Sequence, residues 1–154
     1  MRILQLHSNS IVYKPVEKEI SQAEETDKKE RRLDELMVLF TAVEEGDDLS
    51  VAQKAIDEVQ AFLEKLGVNR ILIYPYAHLS SRLAKPSEAL KVVKAMESYA
   101  VERGIETHRA PFGWNKQFSI SVKGHPLAEQ SRVILPVETK EKKDEEKISE
   151  AVKA

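Results

Sequence analysis

Three ionisable side chains lie in polar stretches that follow apolar runs, and each could take part in proton or charge transfer. His78 could shuttle a proton near neutral pH. Lys116, which lies between two aromatic residues, could place a cation against a phosphate, a carboxylate or a developing oxyanion. Glu129 could orient a substrate amine. Each residue also has a purely structural interpretation: a histidine that caps a turn, a lysine that protects a strand edge, and a carboxylate in the first turn of a helix.

The composition narrows the possible chemistry. No triad order, glycine-rich phosphate loop or metal-ligand spacing is present, so we predict neither a metal nor a cofactor. The absence of cysteine excludes disulfides and fits a reducing cytoplasm. No apolar run approaches the ~20 residues of a membrane helix, and no basic segment resembles a signal peptide. The net charge of -2 does not indicate a polyanionic partner. We expect a cytoplasmic protein that is not bound to a membrane.

The elements that must position these residues begin with extended chain. Residues 2–7 form an apolar run that predicts a buried strand, and residues 11–16 predict a second extended piece that Pro15 would keep near a sheet edge. Charge dominates residues 17–34, which we interpret as a solvated loop or hairpin. Residues 36–43 are apolar on both faces, as expected for a central strand covered on both sides.

A helix and a strand follow. Apolar residues recur at helical spacing over residues 51–66, with Ser50 available as the N-cap and Gly67 placed to end the helix. Residues 70–74 form a short apolar strand. The order strand, helix, strand predicts a right-handed crossover between two parallel strands.

The same pattern then repeats. A second helix begins at Pro86 and ends before Gly104, and it leads to a strand at residues 105–109. Alternation over residues 118–122 predicts a half-buried antiparallel strand, and residues 133–135 predict a last one. A length of 154 residues suits one domain, which we place at residues 1–137, with residues 138–154 as a charged linker or tail that leads to a further domain.

Two long blocks resemble the N-terminal editing domain of archaeal threonyl-tRNA synthetase. They are YPYAHLSSRLAKP at residues 74–86, and APFG at residues 110–113 with KGHPLAEQSR at residues 123–132. The shorter runs Leu6-His7-Ser8 and Val43-Glu44 also fit this family. The resemblance covers residues 1–137 and implies the α/β fold of the D-aminoacyl-tRNA deacylases, a three-layer arrangement with helices packed on one side of two β layers.

The resemblance also implies an activity, which is hydrolysis of the ester in L-seryl-tRNA(Thr), with water assisted by the 2′-hydroxyl of the terminal adenosine. His78, Lys116 and Glu129 would arrange substrate and water. The residues implied to bind the substrate are Val43, Tyr76 and Ala77, through main-chain atoms, and Phe112 and Gly113, beside the adenosine. The implied partners are the 3′ end of tRNA(Thr) carrying L-serine, the remainder of the synthetase beyond residue 154, and a second copy in a homodimer.

The chain departs from the family at two positions. Asn115, a further candidate for substrate binding, stands where the family often has an aromatic hydroxyl, and Asn9 stands where an acidic residue commonly follows His-Ser. Two other functions are compatible with the same residues. One is a free-standing deacylase of D-aminoacyl-tRNA or mischarged tRNA, and the other is a non-catalytic appendage that binds tRNA and dimerises.

Overall fold

The computed structural model describes residues 1–136, which form one six-stranded sheet and two long helices. Strand order in the sheet is β4-β3-β2-β1-β5, and β6 pairs with β1 on the same side as β5. The strands are β1 (Arg2–Lys18), β2 (Arg31–Ala42), β3 (Arg70–Pro75), β4 (Glu106–Arg109), β5 (Trp114–Val122) and β6 (Glu129–Val133), and the helices are α1 (Leu49–Leu66) and α2 (Pro86–Glu102), with a short 3-10 helix at Ala77–Leu79.

The first strand is longer than predicted. Residues 2–7 and 11–16 belong to a single 17-residue strand at the centre of the sheet, because the pairing with β5 absorbs a register shift between Ser8 and Ser10. Pro15 lies in this central strand, but the ladder with β2 ends at Tyr13. Since Pro15 has no β2 partner to which an N–H would donate, the strand tolerates proline there.

The parallel part of the sheet was predicted correctly. Strands β2, β3 and β4 run parallel to one another, with α1 and α2 in the connections. Gly67 ends α1 in the left-handed region, at φ 68° and ψ 33°, as predicted. The N-cap prediction was wrong by two residues. Asp48 caps the helix by accepting hydrogen bonds from the N–H groups of Ser50 and Val51.

Two hydrophobic clusters lie on opposite faces of the sheet. One joins the sheet to α1 and α2, and the other includes Tyr13, Phe40 and Tyr74. Tyr13 pairs with Arg31, nine residues along β2 from Phe40, so in a flat sheet it would lie roughly 30 Å from Tyr74, the partner of Phe40. Its ring centroid is instead 5.8 Å from that of Tyr74. The sheet therefore folds back on itself and provides both β layers of the expected three-layer α/β fold.

The last described strand differs from the prediction. It covers Glu129–Val133 rather than residues 133–135, and it pairs antiparallel with the first half of β1. Apolar alternation did not predict this strand because a polar residue, Arg132, faces α1. Its guanidinium lies 4.5 Å from the Phe62 ring centroid and donates to Gln5. The predicted tail at residues 138–154 lies outside the described residues. Within residues 1–136, neither helix is long and apolar enough to cross a membrane.

Candidate functional site

A cleft opens where the parallel strands end. In open α/β sheets ligands commonly bind beyond the carboxyl ends of the strands, where several connections diverge. Here the chain after β2, β3 and β4 meets the start of β5 around two adjoining cavities of about 150 and 170 Å³. Six residues line both cavities, so the two form one continuous cleft: Glu19, Pro75, Tyr76, Ala77, Trp114 and Lys116.

The structure brings eight of the nine predicted site residues to this cleft. Those lining the first cavity are Val43, Phe112 and Gly113; those lining the second are His78 and Asn115; and Tyr76, Ala77 and Lys116 line both. Glu129 is the exception. It lies in β6 opposite Leu6, with β1 and β2 between its strand and β3, and it lines neither cavity.

Main-chain hydrogen bonds hold the segments that line the first cavity. The Tyr76 N–H donates to the Thr41 carbonyl at 2.8 Å, and the Ala84 N–H donates to the Val43 carbonyl at 3.0 Å. These bonds fix the segments that follow β2 and β3. Ala77 and His78 begin the 3-10 helix, so their N–H groups have no acceptor within it. Such amides can bind a carbonyl or hydroxyl oxygen of a ligand.

Lys116 provides the positive charge of the cleft. Its ammonium donates to the carbonyls of Pro111 and Trp114, both at 3.1 Å, and lies 4.8 Å from the centroid of the Tyr74 ring. Burial lowers the pKa of Lys116 to about 8, although the carboxylates of Glu19 and Glu24 oppose that shift. A lysine with a pKa near 8 is mostly protonated at pH 7 and loses its proton under mildly alkaline conditions.

Tyr74, Tyr76, Trp114 and Phe118 line the second cavity. The Phe118 ring lies 5.6 Å from Tyr74 and 5.5 Å from Phe40, although the residue is 36% exposed. The His78 ring meets Tyr76 edge to face at 5.1 Å. Burial raises the pKa of Tyr74, so this hydroxyl stays protonated at neutral pH. The arrangement suits a flat or polar ligand group beside the Lys116 ammonium.

Sequence reasoning missed one wall of the cleft. Residues 17–34 were interpreted as a solvated loop or hairpin, but residues 17–18 belong to β1 and residues 31–34 to β2. In the β1–β2 connection between them (residues 19–30), Glu19 and Ile20 line the first cavity. Glu24 accepts a hydrogen bond from the Phe112 N–H at 2.8 Å and forms an ion pair with Arg109. Burial opposes its ionisation, but these bonds hold the pKa of Glu24 below its usual value. The lone large aliphatic residue in this charged segment, Ile20, was the available signal.

A second network of charged and polar groups holds the chain that follows β2, on the other side of the cleft from the β1–β2 connection. Glu44, which follows Val43, is buried and accepts a hydrogen bond from the Ser80 hydroxyl at 2.6 Å. The Met1 ammonium lies 3.3 Å from Glu44 and 2.8 Å from Asp47. Burial alone would raise the pKa of Glu44, but the hydrogen bond from Ser80 and the charge of the amino terminus lower it below its usual value. A charged network therefore holds the chain after Val43 against the segment that carries Ser80.

Two histidines pair outside the cleft. His7 Nδ1 and His125 Nε2 are 2.7 Å apart, and His125 Nδ1 accepts from the Leu127 N–H. When both rings are neutral, that amide leaves the His125 proton on Nε2, which then donates to His7. Burial and the neighbouring His125 lower the pKa of His7. This pair joins the centre of β1 to the turn before β6.

The chain is similar to known proteins over nearly all of its length. Residues 1–134 match the model of a family described as the archaea-specific editing domain of threonyl-tRNA synthetase. A threonine–tRNA ligase from Nitrosopumilus maritimus is 50% identical over 154 residues, which is 99% of this chain and 24% of that protein. A threonine–tRNA ligase editing subunit from Saccharolobus solfataricus is 42% identical over 150 residues, which is 97% of this chain and 39% of that protein. The chain thus spans well under half of these relatives.

Solved structures share the fold at low sequence identity. A c-Myc DNA unwinding element binding protein aligns with a TM-score of 0.65 and 7% identity, over 88% of this chain and 99% of that one. A probable eukaryotic D-amino acid tRNA deacylase aligns with a TM-score of 0.56 and 10% identity, over 85% of this chain and 98% of that one. These likenesses confirm the expected deacylase-like fold class.

Proposed function

Because this chain belongs to the family of archaea-specific editing domains of threonyl-tRNA synthetase, we propose that it proofreads threonyl-tRNA synthesis by hydrolysing the ester of L-seryl-tRNA(Thr). The observation that carries the proposal is the cleft itself. Residues after β2 and β3 and the half-buried Lys116 line the same two adjoining cavities, of about 150 and 170 Å³. That combination suits a small polar aminoacyl group better than a large side chain.

The need for such a site follows from the size of the amino acids. A pocket that accepts threonine cannot strongly reject serine, since one missing methyl group is worth only ~1–3 kcal/mol of discrimination. A second pocket can refuse threonine by a steric clash. We propose that Val43, Ala77 and Ala84, which line the first cavity, supply that clash.

The reaction needs placement of water and stabilisation of charge. The water oxygen bonds to the ester carbonyl carbon, and the carbonyl electrons move onto an oxygen that the Lys116 ammonium stabilises. The tetrahedral species then expels the 3′-oxygen of the terminal adenosine, which takes up the proton given by the water. The 2′-hydroxyl beside it is placed to carry that proton. His78 lies beside the second cavity and would orient the substrate.

The partners follow from this role. We propose that the chain binds the 3′ end of tRNA(Thr) carrying L-serine, works with the remainder of a threonyl-tRNA synthetase in the cytoplasm, and forms a homodimer. The similarity to a relative named an editing subunit favours a second arrangement, in which the chain acts in trans on tRNA charged by a separate synthetase. The predicted role of Glu129 is not part of this proposal, since it does not line the cleft.

One experiment tests the proposal directly. The chain is incubated with L-seryl-, L-threonyl- and D-aminoacyl-tRNA(Thr), and the remaining ester is measured over time against a sample without protein. We expect loss of seryl-tRNA and survival of threonyl-tRNA. Hydrolysis of the D-aminoacyl substrate alone would favour a D-aminoacyl-tRNA deacylase. If tRNA binds and none of the three esters is hydrolysed, the chain is a non-catalytic appendage.

A further inference from the structure

Two residues of the β1–β2 connection bind the β4–β5 loop (residues 110–113). The Glu19 N–H donates to the Gly113 carbonyl at 2.8 Å, and Glu24 makes the remaining bonds. The Glu24 carboxylate accepts the Phe112 N–H at 2.8 Å, and the Glu24 N–H donates to the Phe112 carbonyl at 3.0 Å. The Glu24 carbonyl accepts the Trp114 indole N–H at 2.6 Å. The carboxylate also pairs with Arg109, whose Nε reaches Glu97 of α2 at 3.0 Å. Glu24 therefore touches three residues at the junction of β4 and β5.

The same stretch holds the Lys116 ammonium from its other side. Two carbonyls accept from Nζ, and they belong to Pro111 and Trp114, the residues on either side of the Phe112-Gly113 pair. A shift of this stretch would move both acceptors at once. The ammonium has no carboxylate within ion-pairing distance among residues 1–136, so its position depends on these carbonyls and on the Tyr74 ring.

We propose that Glu24 is the positioning residue for Lys116: by fixing the β4–β5 loop and the Trp114 indole, it holds the two carbonyls that aim the ammonium into the cleft. The inference rests on the function proposed above and extends it to a residue in the β1–β2 connection. Glu24 does not touch the substrate space, since it lines neither cavity of the cleft.

Glu24 also acts on Lys116 through its charge. The groups that face the ammonium are the carboxylates of Glu19 and Glu24, the rings of Tyr74 and Tyr76, and His78 at the second cavity. Arg109 is tied to Glu24 and Glu97. Of these groups, the two carboxylates favour the protonated lysine against its burial. Removing the charge of Glu24 should therefore lower the pKa of Lys116 and shrink its cationic fraction at pH 7 to 8.

Two variants separate hydrogen bonding from charge. Glu24→Gln keeps an oxygen that can accept the Phe112 N–H and removes the charge, whereas Glu24→Ala removes both. Displacement of a reacting group by about 1 Å can cost ~10²-fold in rate, so we expect Glu24→Ala to lower kcat on seryl-tRNA(Thr) by ~10–100-fold with little change in KM. Glu24→Gln should lower kcat less than Glu24→Ala at pH 7. Its rate should begin to fall at a lower pH than the rate of the parent as the solution becomes alkaline.

Glu25→Ala is the matched control. Its carboxylate is 94% exposed, and within residues 1–136 its ion-pair partner is Lys18, at 3.7 Å. A Glu24→Ala variant that melts like the parent and keeps the rate and pH profile of Glu25→Ala would overturn the proposal. If Glu24→Ala does not fold, Glu24→Gln is tested instead. A pH profile of Glu24→Gln equal to that of the parent would contradict the inference.

A measurement without substrate distinguishes this proposal from the proposed function. The ¹³Cε chemical shift of Lys116, followed by NMR during a pH titration of the chain, reports the pKa of the ammonium. A lower value in Glu24→Gln than in the parent and in Glu25→Ala supports the coupling even if no aminoacyl-tRNA is hydrolysed. An equal value in all three proteins rejects it even if hydrolysis is found.

Discussion

Lys116 occupies a position that costs stability and suits the chemistry proposed above. Its ammonium is half-buried, rests on an aromatic ring and is bound by two main-chain carbonyls. Burial of a lysine penalises its charged form, which is why its pKa falls to about 8. The sequence predicted the chemical character of this residue but also allowed a simple strand-edge lysine. The structure places its side chain in the cleft, on a strand at the edge of the sheet.

Replacing Lys116 with methionine should therefore separate activity from stability. We expect Lys116→Met to slow hydrolysis of seryl-tRNA(Thr) by ~10²-fold or more, as for loss of one oxyanion donor. At pH 7 its free energy of unfolding should rise by about 1–3 kcal/mol, because a buried charge is removed. Single-turnover hydrolysis and urea unfolding measure the two effects.

The stability difference should also depend on pH. The folded-state pKa lies below the unfolded value, so the folded chain releases its proton first as pH rises, and the parent regains stability between about pH 8 and 10.5. Lys14→Met, on an exposed lysine of β1, is the control and should change neither property. Unchanged hydrolysis in Lys116→Met would reject the functional assignment.

The rate should also report the charge of Lys116. If the protonated lysine stabilises the oxyanion, the enzymatic rate falls as pH rises through about 8, after subtraction of the hydroxide-driven background measured without protein. A neutral lysine acting as a base would give the opposite slope. A rate that rises through the same range would therefore contradict the cationic role.

At the scale of elements, the cleft depends on the β1–β2 connection, whose sequence shows no apolar periodicity that would predict its structure. The parallel strands and both helices follow from local apolar periodicity, and so they were predicted. The contacts of Glu24 with Arg109 and Phe112 span 85 and 88 residues of sequence. No local pattern encodes such a pairing, and a stretch rich in charge resembles solvated chain. The last strand was misplaced for a related reason, since Gln130 and Arg132 are polar residues facing an interior surface.

Gly113 should be indispensable to the contact between the β1–β2 connection and the β4–β5 loop. Its φ is +83°, and an added Cβ would lie 2.8 Å from the Ala23 Cα. We expect Gly113→Ala to lower the free energy of unfolding by about 1–3 kcal/mol, since backbone strain and overlap act together. It should also reduce hydrolysis, because the wall of the cleft must move.

Gly124→Ala provides the matched comparison. A Cβ added at Gly124 would meet no atom within 4 Å, and this glycine has no positive φ, so the variant should unfold and hydrolyse like the parent. Chemical denaturation of both variants gives the stability difference. Equal stabilities would show that the β1–β2 connection yields to the new methyl group at little cost.

At the scale of the whole molecule, folding the sheet back on itself creates the site. The second half of β1 and β5 lie over the ends of β2 and β3, so Lys116 on β5 reaches Tyr74 on β3. Apolar periodicity predicted the strands but not the folding back of the sheet. The resemblance to the deacylase-like family predicted that feature. The protein thus offers main-chain amides, a cation and aromatic side chains, and in the function proposed above the nucleic acid supplies the proton carrier beside the ester.

This division of labour is testable with the substrate. Replacing the terminal 2′-hydroxyl by hydrogen, in tRNA aminoacylated at the 3′ position, should lower the rate by ~10²–10⁴-fold, the range of positioned proton-transfer groups, with little change in binding. His78→Ala should cost less, because His78 is exposed at the rim of the cleft. Normal hydrolysis of the deoxy substrate together with an inactive His78→Ala would assign the base to the protein.

Trp114 gives the molecule a built-in optical probe. It is the one tryptophan of the sequence, it lines both cavities, its indole N–H bonds to the Glu24 carbonyl, and the Lys28 ammonium lies 5.5 Å from its ring centroid. Indole emission responds to solvent polarity and to nearby charge. All the tryptophan fluorescence of this protein therefore arises at the junction of the β1–β2 connection and the cleft, so an unlabelled titration can follow ligand entry as a change in intensity or wavelength.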